Sequence, residues 1–544
     1  QNKKNLICFN GEIYNANEIK KKYLSNFKLN TSSDTEILLE AFSRHGSKII
    51  KELDGMFTIF IYEIDKKNYF FARDRFGIKQ LYYTQINGQL IFSSEIKPIV
   101  TYLKKTSLNQ IALVDFLIKG FMDHDKTFFK NVKLFPSSSF AFYKNKKILF
   151  EKFWELKDKR FKNHDVSYYK KKIRFLFEKS IKKHLISDKK IGSFLSGGTD
   201  STVMMQETLK NINYDLETFS YSFENNFGFD EIEEVKALQK KYNFNNTISK
   251  ISSSYVKDNF ERLIEYVESP ITSMRLFGVM KNYETVKKKN LNVILEGHGG
   301  DEQFAGYEYN YYFFLLDEFR KSRNSKKFVK NLLFSKYSKS INSKKLLNSL
   351  MTITNQGGST SDGTPFVNLD LFKKDFLNEH LFENYFSDEK QISNLLQNSQ
   401  YQDIKKIKLP RMLKYTDRLS MNFGIECRVP YLDNELFEFS FYLPNQLKFR
   451  NGISRWLFKN TFQEKILLQK NKKSITDPQK NWMKDELKDF FLDNVNSKDF
   501  KNSDYFDQKT VKSYYESFLK ENKDTSFNLI QILSSHIFLK NFKL

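Results

Sequence analysis

The sequence predicts a two-domain protein in which a strand-rich α+β domain precedes a doubly wound α/β domain built on a parallel sheet. Short apolar runs separated by turn residues dominate residues 1–150, whereas helix-like segments alternate with apolar strands from residue 165 onward. At 544 residues the chain is long enough for two or three domains, each with a sizeable core. We therefore place the domains at 1–150 and 165–544.

The first domain is predicted from five strand-like runs. Turn signals such as Asn87-Gly88 and Asp54-Gly55 separate them, and an Asn-Gly pair between apolar runs is typical of a hairpin. The predicted strands are residues 56–64, 68–72, 80–84, 90–93 and 138–143. We therefore expect this region to consist mostly of strands.

The second domain is predicted from a change in the periodicity of apolar residues along the sequence. A helix-like segment at 168–184 is followed by apolar strands at 191–195, 218–223 and 293–295, and such alternation is typical of a parallel sheet covered by helices. Residues 310–405 are rich in Lys, Asn and Ser and include a soft glycine-rich loop at 357–363, which indicates an insertion or a lid. The C-terminal third is predicted to be helical.

Composition excludes several classes of protein. Hydrophobic residues make up 40% of the chain and charged residues 28%, as in globular proteins, and no apolar run approaches the roughly 18 residues of a membrane helix. The two cysteines, Cys8 and Cys427, are too few for a disulfide framework and favour a reducing, cytoplasmic compartment. The net charge of +24 is spread over lysines in every segment, so we expect a solvated surface with no nucleic-acid or membrane partner.

A glycine-rich motif lies between the predicted strand 191–195 and the helix-like run that follows. Two glycines allow a tight turn, and the backbone N–H groups of the turn and of the helix N-terminus can approach an anion. No GxxxxGK[ST] pattern occurs, so this is not the Walker loop. The motif, which resembles the SGGxDS loop of ATP pyrophosphatases, is Ser196-Gly197-Gly198-Thr199-Asp200-Ser201.

Further motifs extend this resemblance. They are EGHGGDEQFAGY at 296–307, YTDRLSM at 415–421 and ECRVPYLD at 426–433. Their order and spacing are similar to those of the C-terminal domain of glutamine-dependent asparagine synthetases, which has an adenine-nucleotide α-hydrolase-like fold. The resemblance implies an ATP site at Leu195, Ser196, Gly197, Gly198, Asp200, Ser201, Tyr221, Glu296 and Gly297, with Mg²⁺ near Asp200 and Asp301. It also implies an acyl-adenylate that ammonia converts to an amide.

The chain departs from the family pattern in two segments. In the first, where the family has SGEG, Glu296 stands where the family has Ser and His298 stands where the family has Glu. An imidazole cannot replace a carboxylate charge, and a histidine beside glycines is more often structural or exposed. Arg455 stands where the family has a Lys in its pyrophosphate loop; a guanidinium can clamp phosphate but is a poor proton donor.

The N-terminal domain carries a second set of motifs. FNGEIYN at 9–15, SDTE at 33–36, DGMF at 54–57 and RDRFGIK at 73–79 together resemble the glutaminase domain of class II amidotransferases, an αββα sandwich of N-terminal-nucleophile type. The resemblance implies that Asn10 and Gly11 form an oxyanion hole. It further implies that Asn10, Gly11, Glu12 and Asp34 bind glutamine, with the two carboxylates pairing with its ammonium group.

The family's nucleophile, an N-terminal Cys activated by its own α-amine, has no counterpart here, because only nine residues precede Asn10. We therefore expect an N-terminally truncated sequence that does not hydrolyse glutamine as given. Cys8 lies two residues before Asn10 and so on the same strand face, but it has no free α-amine and lies in an apolar run. We predict it to be a core cysteine.

These resemblances identify the chain as a member of the asparagine synthetase family. The predicted reaction adenylates a carboxylate, aspartate by analogy, and joins it to ammonia from glutamine, with a homodimer as the suggested assembly. One alternative is an amidotransferase acting on another carboxylic acid, such as a sugar acid or a secondary-metabolite precursor. A second, suggested by charge alone, is an enzyme that has the same kind of SGGxDS phosphate-binding loop and acts on tRNA. The third is a non-catalytic regulatory or assembly protein.

Overall fold

Two antiparallel sheets form the N-terminal half of the chain in the computed structural model. The structure describes residues 5–120, 122, 126–158, 164–224, 232–322, 369–376, 392–462, 477–521 and 524–544. The elements of this half are β1 (Asn5–Ile13), α1 (Ala16–Tyr23), α2 (Asp34–His45), β2 (Gly55–Glu63), β3 (Asn68–Arg73), β4 (Tyr82–Ile86), β5 (Gln89–Ser93), α3 (Ile96–Leu103), α4 (Gln110–Lys119), β6 (Lys133–Leu134), β7 (Ser139–Lys144) and β8 (Lys147–Lys152).

The larger sheet has the order β1-β2-β3-β7-β8 and the smaller has the order β5-β4-β6. Helices α1 and α2 cover one face of the larger sheet, where Ile37 and Phe42 share a buried cluster with Phe70. On the opposite face Phe71 packs with Leu81 and residues of the smaller sheet. Both faces of the central strands are therefore buried.

The five strands predicted for this half are present, with boundaries shifted by at most two residues. The expectation of a mostly stranded region was wrong in omitting α1–α4. Helix α2 has its own start signal, because the Ser33 hydroxyl accepts a hydrogen bond from the Thr35 backbone N–H at 3.2 Å. It buries Ile37 and Ala41, four residues apart on one helix face.

A five-stranded sheet with helices forms the second half. No helix among the described residues has the length and apolar character that crossing a membrane requires. The elements are α5 (Val166–His184), β9 (Ile191–Phe194), α6 (Thr199–Leu209), β10 (Glu217–Phe223), α7 (Ile232–Gln239), β11 (Asn245–Ile251), α8 (Ser253–Val267), α9 (Arg275–Lys288), β12 (Val293–Leu295), α10 (Gly300–Phe304), α11 (Glu308–Ser322), α12 (Leu395–Gln402), α13 (Leu409–Asn422), β13 (Glu426–Arg428), α14 (Asn434–Phe441), α15 (Asn445–Lys448), β14 (Phe449–Arg450), β15 (Ile453–Ser454), α16 (Trp456–Thr461), α17 (Gln479–Lys484), α18 (Lys488–Asn496), α19 (Lys498–Lys501), α20 (Gln508–Lys520) and α21 (Ser526–Phe542).

This sheet has the strand order β11-β10-β9-β12-β13, and every neighbouring pair is parallel. The predicted parallel sheet is confirmed. Chain order runs outward in one direction from β9 to β11 and in the other from β12 to β13, so it reverses between β9 and β12. Loops that follow the two strands at such a switch point diverge and leave a crevice, which is where open α/β sheets bind ligands.

The stretch 310–405, predicted as an insertion or lid, is described only in part. Its two ends are not peripheral, since Leu315 of α11 and Leu396 of α12 share a buried cluster with Phe449. Residues 323–368, and with them the predicted loop at 357–363, lie outside the described residues, as do residues 377–391.

The two halves of the chain are joined by apolar and ionic contacts. Met56 and Phe76 from the N-terminal half share a buried cluster with Leu413 of α13. Beside it Lys79 Nζ lies 3.0 Å from Asp417 Oδ1, and both side chains are almost fully buried, at 4% and 3% exposure. The two halves therefore share a core.

The prediction that Cys8 is a core cysteine is wrong. Cys8 is exposed on β1, while its neighbours Ile7 and Phe9 pack against the cluster beneath α2. Side chains alternate between the two faces of a strand, so a continuous apolar run still directs every second residue away from the core. Cys427, on β13, is buried.

Candidate functional site

The loop between β9 and α6 holds the motif predicted to bind phosphate. Gly197 has a φ of +80°, a backbone conformation that favours glycine. The hydroxyl groups of Ser196 and Ser201 lie 3.1 Å apart, and Ser201 Oγ also accepts a hydrogen bond from the Ser196 backbone N–H at 3.2 Å. The loop is thereby closed over the start of an 11-residue helix, whose first N–H groups are suited to an anion.

The loop after β12 packs directly against the first loop. A Cβ placed on Gly300 would lie only 2.8 Å from Asp200 Cγ. Gly299 has a φ of +96°, and a Cβ there would lie 2.4 Å from Leu432 Cδ2. The Tyr431 hydroxyl donates to the Asp200 carbonyl oxygen at 2.9 Å. Glycine at 300 therefore permits the close approach of the two loops at the switch point, and glycine at 299 permits the approach of the segment that contains Leu432.

A cavity of about 420 Å³ lies between these loops. Its size falls within the range of about 300–1,000 Å³ that small-molecule sites occupy. Asp301 and Arg455 line it, and so do eight of the nine residues predicted to hold ATP. Those eight are Leu195, Ser196, Gly198, Asp200, Ser201, Tyr221, Glu296 and Gly297. Gly197, the ninth, belongs to the same loop without lining the cavity.

Arg455 lies between the two carboxylates predicted to hold Mg²⁺. Its Nη1 lies 2.7 Å from Asp200 Oδ2 and 3.0 Å from Asp301 Oδ1. Burial opposes the guanidinium charge, but the attraction of the two carboxylates outweighs it and raises the pKa of Arg455. The arrangement brings three charged groups from separate parts of the chain to one point.

The donor set fits Mg²⁺ in part. Asp200 and Asp301 offer carboxylate oxygens, which Mg²⁺ prefers, and this ion ordinarily completes its shell with water and phosphate oxygens. No group of three or more metal-ligating side chains occurs in the part of the chain that the structure describes. Phosphate and water would therefore have to supply the remaining ligands.

A carboxylate–imidazole pair forms the cavity wall next to β12. His298 Nε2 lies 3.0 Å from Glu296 Oε1 and 3.0 Å from Thr416 Oγ1. Thr416 Oγ1 donates to the second oxygen of Glu296 at 3.1 Å, and Cys427 Sγ lies 3.3 Å from the same oxygen. Burial opposes both charges, yet their mutual attraction raises the pKa of His298 and lowers the pKa of Glu296.

A second candidate site lies on β1, the edge strand of the larger N-terminal sheet. Gly11 has a φ of +149°, and a Cβ there would lie 2.0 Å from the Met56 carbonyl oxygen on β2. Asn10 Nδ2 donates to Ser94 Oγ at 3.3 Å. The close approach of β1 and β2 therefore requires glycine beside the predicted oxyanion donor.

The two carboxylates predicted to bind glutamine lie near each other. Asp34 Oδ2 accepts a hydrogen bond from the Ile13 backbone N–H at 3.1 Å, which places it beside Glu12 on β1. Burial raises the pKa of Glu12 to about 7, although Arg428, with Nη2 3.5 Å from Glu12 Oε2, acts in the opposite direction. The structure thus brings together all four residues of the predicted glutamine site around one end of β1.

Comparison with known proteins assigns both halves. The family model described as asparagine synthase matches residues 172–540, and a model described as the glutamine amidotransferase domain matches residues 1–154. The chain belongs to the asparagine synthase family. The predicted family is thereby confirmed.

Full-length relatives resemble this asparagine synthase family member over most of its length. Glutamine-hydrolyzing asparagine synthetase 1 of Bacillus subtilis is 27% identical over 500 residues, which cover 89% of this chain and 77% of that protein. The amidase chyE of Penicillium rubens is 23% identical over 530 residues, covering 87% and 77%. Glutamine-hydrolyzing asparagine synthetase 3 of B. subtilis is 24% identical over 494 residues, covering 85% and 74%.

Two residues that depart from the asparagine synthase pattern lie in contact. Glu296 and His298, which stand where the family has Ser and Glu, form the carboxylate–imidazole pair described above, and both line the cavity. A carboxylate is therefore still present in this wall, two residues earlier in the chain. His298 is neither isolated nor free at the surface, with 19% of its side chain exposed.

The synthase half also contributes cavity residues that the sequence did not predict. Arg275, at the start of α9, lines the cavity and donates from Nε to the Tyr221 hydroxyl at 3.1 Å. No motif surrounds it, so no sequence signal identified it. Lys408, Arg411 and Met412 also line the cavity. Arg411 and Met412 lie in the segment that leads into the YTDRLSM motif, and the motif pattern does not indicate the roles of individual residues.

Proposed function

We propose that this chain makes asparagine: ATP activates the side-chain carboxylate of aspartate as an acyl-adenylate, and ammonia from glutamine then displaces AMP. One observation carries the proposal, namely that two glycine-rich loops at the switch point enclose a cavity lined by Asp200, Asp301 and Arg455. Two relatives named asparagine synthetase support aspartate, rather than another carboxylic acid, as the acceptor.

The first step overcomes the low reactivity of a carboxylate. An oxygen of the acceptor carboxylate bonds to the α-phosphorus, and the bond to pyrophosphate breaks with its electron pair leaving on pyrophosphate. Backbone N–H groups of residues 196–201 would hold phosphate oxygens. Arg455 would pair with the pyrophosphate, where its planar fork suits two oxygens at once. Mg²⁺ at Asp200 and Asp301, when bound, supplies positive charge against the phosphates.

The N-terminal half would supply ammonia from glutamine. Asn10 Nδ2 and the Gly11 N–H would donate to the oxyanion that forms at the amide carbon, and one such donor typically contributes about 10²–10³ in rate. Glu12 and Asp34 would pair with the ammonium group of glutamine. We assign no nucleophile within this sequence.

Further properties belong to the same proposal. We place the domain boundary between residues 150 and 165, and we assign the N-terminal half to the αββα fold of N-terminal-nucleophile type on the packing of its two sheets with α1 and α2. Both cysteines are free thiols, which suits the reducing cytoplasm. Family resemblance suggests a homodimer, and the reaction requires no nucleic-acid or membrane partner.

Pyrophosphate release from Mg-ATP tests the proposal. Ammonium is supplied directly, which isolates the synthase half, and release is measured with and without aspartate. We expect aspartate-dependent release together with asparagine. Release supported by a different acid from a panel of carboxylic acids, and not by aspartate, would contradict the assigned acceptor. Release with no added acid, or none at all, would contradict amide synthesis.

A further inference from the structure

The Glu296–His298 pair lines the cavity, yet the adenylation step gives His298 no role. The imidazole is held on one side only: Nε2 faces Glu296 and Thr416, while Nδ1 has no hydrogen-bond partner among the residues that the structure describes. Because the side chain is 19% exposed and its residue lines the cavity, a small molecule there can approach the imidazole. The hydrogen bond to the carboxylate assigns the ring proton to Nε2 and leaves Nδ1 as an acceptor.

We propose that His298 accepts the proton that ammonia loses when it attacks the acyl-adenylate, and that Glu296 is the positioning residue that orients the imidazole. The inference rests on the proposed function and deepens it, because it assigns a proton acceptor to the second half of that reaction.

The step balances as follows in atoms and charge. The nitrogen lone pair of ammonia forms a bond to the acyl carbon, and the carbonyl π electrons move onto oxygen. One N–H proton passes to Nδ1 of His298. The carbonyl re-forms, the bond to the AMP oxygen breaks, and AMP leaves with that electron pair. The imidazolium beside Glu296 then returns its proton to solvent, so that the products are the amide, AMP and one proton.

Of the Glu296 carboxylate and the His298 imidazole, the imidazole is better suited to accept the proton from ammonia. A general base works best when its pKa lies near the working pH. The lowered pKa of Glu296 makes it a weak base, whereas the pKa of His298 is raised from an ordinary value that already lies near neutrality. Besides Glu296, the charged groups that act on His298 are Glu302 and Arg275, and the second of these opposes the rise.

Two half-reactions separate the role of His298 from that of the ATP site. Carboxylate-dependent exchange of pyrophosphate into ATP reports adenylation alone, and amide formation from ammonium chloride reports both steps. We expect His298→Asn to lower the exchange rate much less than the rate of amide formation. Amide formation should fall by about 10²–10⁴, the usual contribution of a general base. His45→Asn, an exposed histidine in the N-terminal half, is the matched control and should change neither rate.

Glu296 is tested by a pH profile, which a purely structural role would not move. Amide formation is measured at a constant concentration of unprotonated ammonia, so that the titration of ammonium does not affect the pH profile. In wild type the rate should fall as pH decreases through the pKa of His298. Glu296→Gln removes the anion that raises this pKa, so the fall should begin at a lower pH. Glu296→Asp should restore most of the wild-type profile.

The outcomes distinguish the inference from the function on which it rests. A wild-type chain without carboxylate-dependent exchange would contradict both. Exchange in wild type combined with equal amide formation by His298→Asn and His45→Asn would contradict the inference alone. So would a parallel loss of both half-reactions in a folded His298→Asn protein. If that variant does not fold, His298→Gln, which can still donate to Glu296, provides the same comparison.

Discussion

Arg455 separates two carboxylates that would otherwise face each other in the cavity wall. Its guanidinium contacts Asp200 and Asp301 within 3.0 Å, and only 4% of its side chain is exposed. Removing one member of a buried ion pair leaves the partner charge uncompensated, at a cost of about 3–5 kcal/mol. Arg455 is therefore both a candidate ligand for pyrophosphate and a contributor to the stability of the fold around Asp200 and Asp301.

We predict that Arg455→Met lowers the free energy of unfolding by about 3 kcal/mol. Because the two carboxylates then repel each other, added Mg²⁺ should raise the Tm of this variant more than that of wild type. Thermal unfolding with and without Mg²⁺ provides the measurement. Arg450→Met, which removes an exposed arginine, is the control and should show neither effect. An Mg²⁺ effect of equal size in wild type and variant would argue against a metal site at these carboxylates.

The raised pKa of Glu12 predicts that the free energy of unfolding depends on pH. Its pKa in the folded chain is about 7, above the value near 4.5 expected when unfolded, so the folded state holds the extra proton between these values. Its contribution to stability is therefore complete below pH 4.5 and is lost as pH rises through about 7. Solvent screening reduces the effect, because the group is only half-buried.

Glu12→Gln should accordingly stabilise the chain by about 1–2 kcal/mol at pH 8 and have little effect at pH 5. Urea unfolding at the two pH values measures the difference. Glu18→Gln, at an exposed position on α1, should give the same small change at both. A Glu12→Gln effect that is independent of pH would show that the carboxyl titrates normally.

Among single residues, the sequence predicted those that lie within contiguous motifs. Of the eight predicted nucleotide-site residues that line the cavity, seven lie in or beside the glycine-rich loops after β9 and β12, and Tyr221 lies on β10. The contact between Glu296 and His298 depends on how the loop after β12 turns, and that turn depends on its packing against Leu432. Arg275 reaches the cavity from a helix with no motif, so only the tertiary fold reveals it.

Helix α13 connects the cavity of the synthase half to the N-terminal half. Thr416 bonds Glu296 and His298 in the cavity wall, and its neighbour Asp417 bonds Lys79 of the N-terminal half. Consecutive residues of a helix point about 100° apart, so one helix can present these two side chains to different surroundings. The position of α13 is thus fixed by both halves of the chain.

We predict that Lys79→Met lowers the free energy of unfolding by about 3 kcal/mol, because it leaves Asp417 buried beside Arg418 alone. Adding Asp417→Leu should recover part of the loss, so the double variant should be less destabilised than the sum of the singles. Urea unfolding of the four proteins of this cycle measures the coupling. Lys22→Met, which breaks an exposed pair with Glu52, should leave stability nearly unchanged. Strict additivity would mean that the buried pair carries no coupling.

At the level of elements, sequence periodicity predicted strands more fully than helices in the N-terminal half. Strand runs there are apolar, with Asp54-Gly55 before β2 and Asn87-Gly88 between β4 and β5, whereas α2 is signalled only by Ser33 and by apolar residues three and four apart. The order of strands in a sheet is a further feature that the sequence did not predict. A sequence shows that strands alternate with helices, but the placement of β12 beside β9 depends on contacts between distant segments.

In the whole molecule, the C-terminal helix of the second half packs against the N-terminal half. Phe538 of the C-terminal helix α21 lies with its ring 5.1 Å from that of Phe128 in the N-terminal half. The same buried cluster includes Phe116 and residues of α8 and α9. The two halves therefore share part of their core, and the division of the sequence into two motif sets did not predict this.

We predict a single cooperative unfolding transition. Calorimetry should give one endotherm whose van't Hoff enthalpy equals the calorimetric enthalpy, because the shared clusters couple the halves. Phe538→Ala should lower the free energy of unfolding by about 3–5 kcal/mol. Unfolding of this variant should still occur in a single transition. Tyr102→Ala, which truncates an exposed aromatic side chain, should leave the transition in place. Two resolved endotherms in the wild-type protein would mean that the halves fold independently.

The buried pair between Lys79 and Asp417 also restricts how a gene of this kind can change. If the second half were inherited alone, Asp417 would lose its lysine, and Glu268, whose carboxylate accepts hydrogen bonds from the backbone N–H groups of Ile96 and Lys97, would lose its donors. Compensating substitutions at 417 and 268 would then have to arise together with the separation. A free-standing descendant of the synthase half should carry uncharged residues at these two positions, and ancestral reconstruction of such a lineage can show whether they changed first.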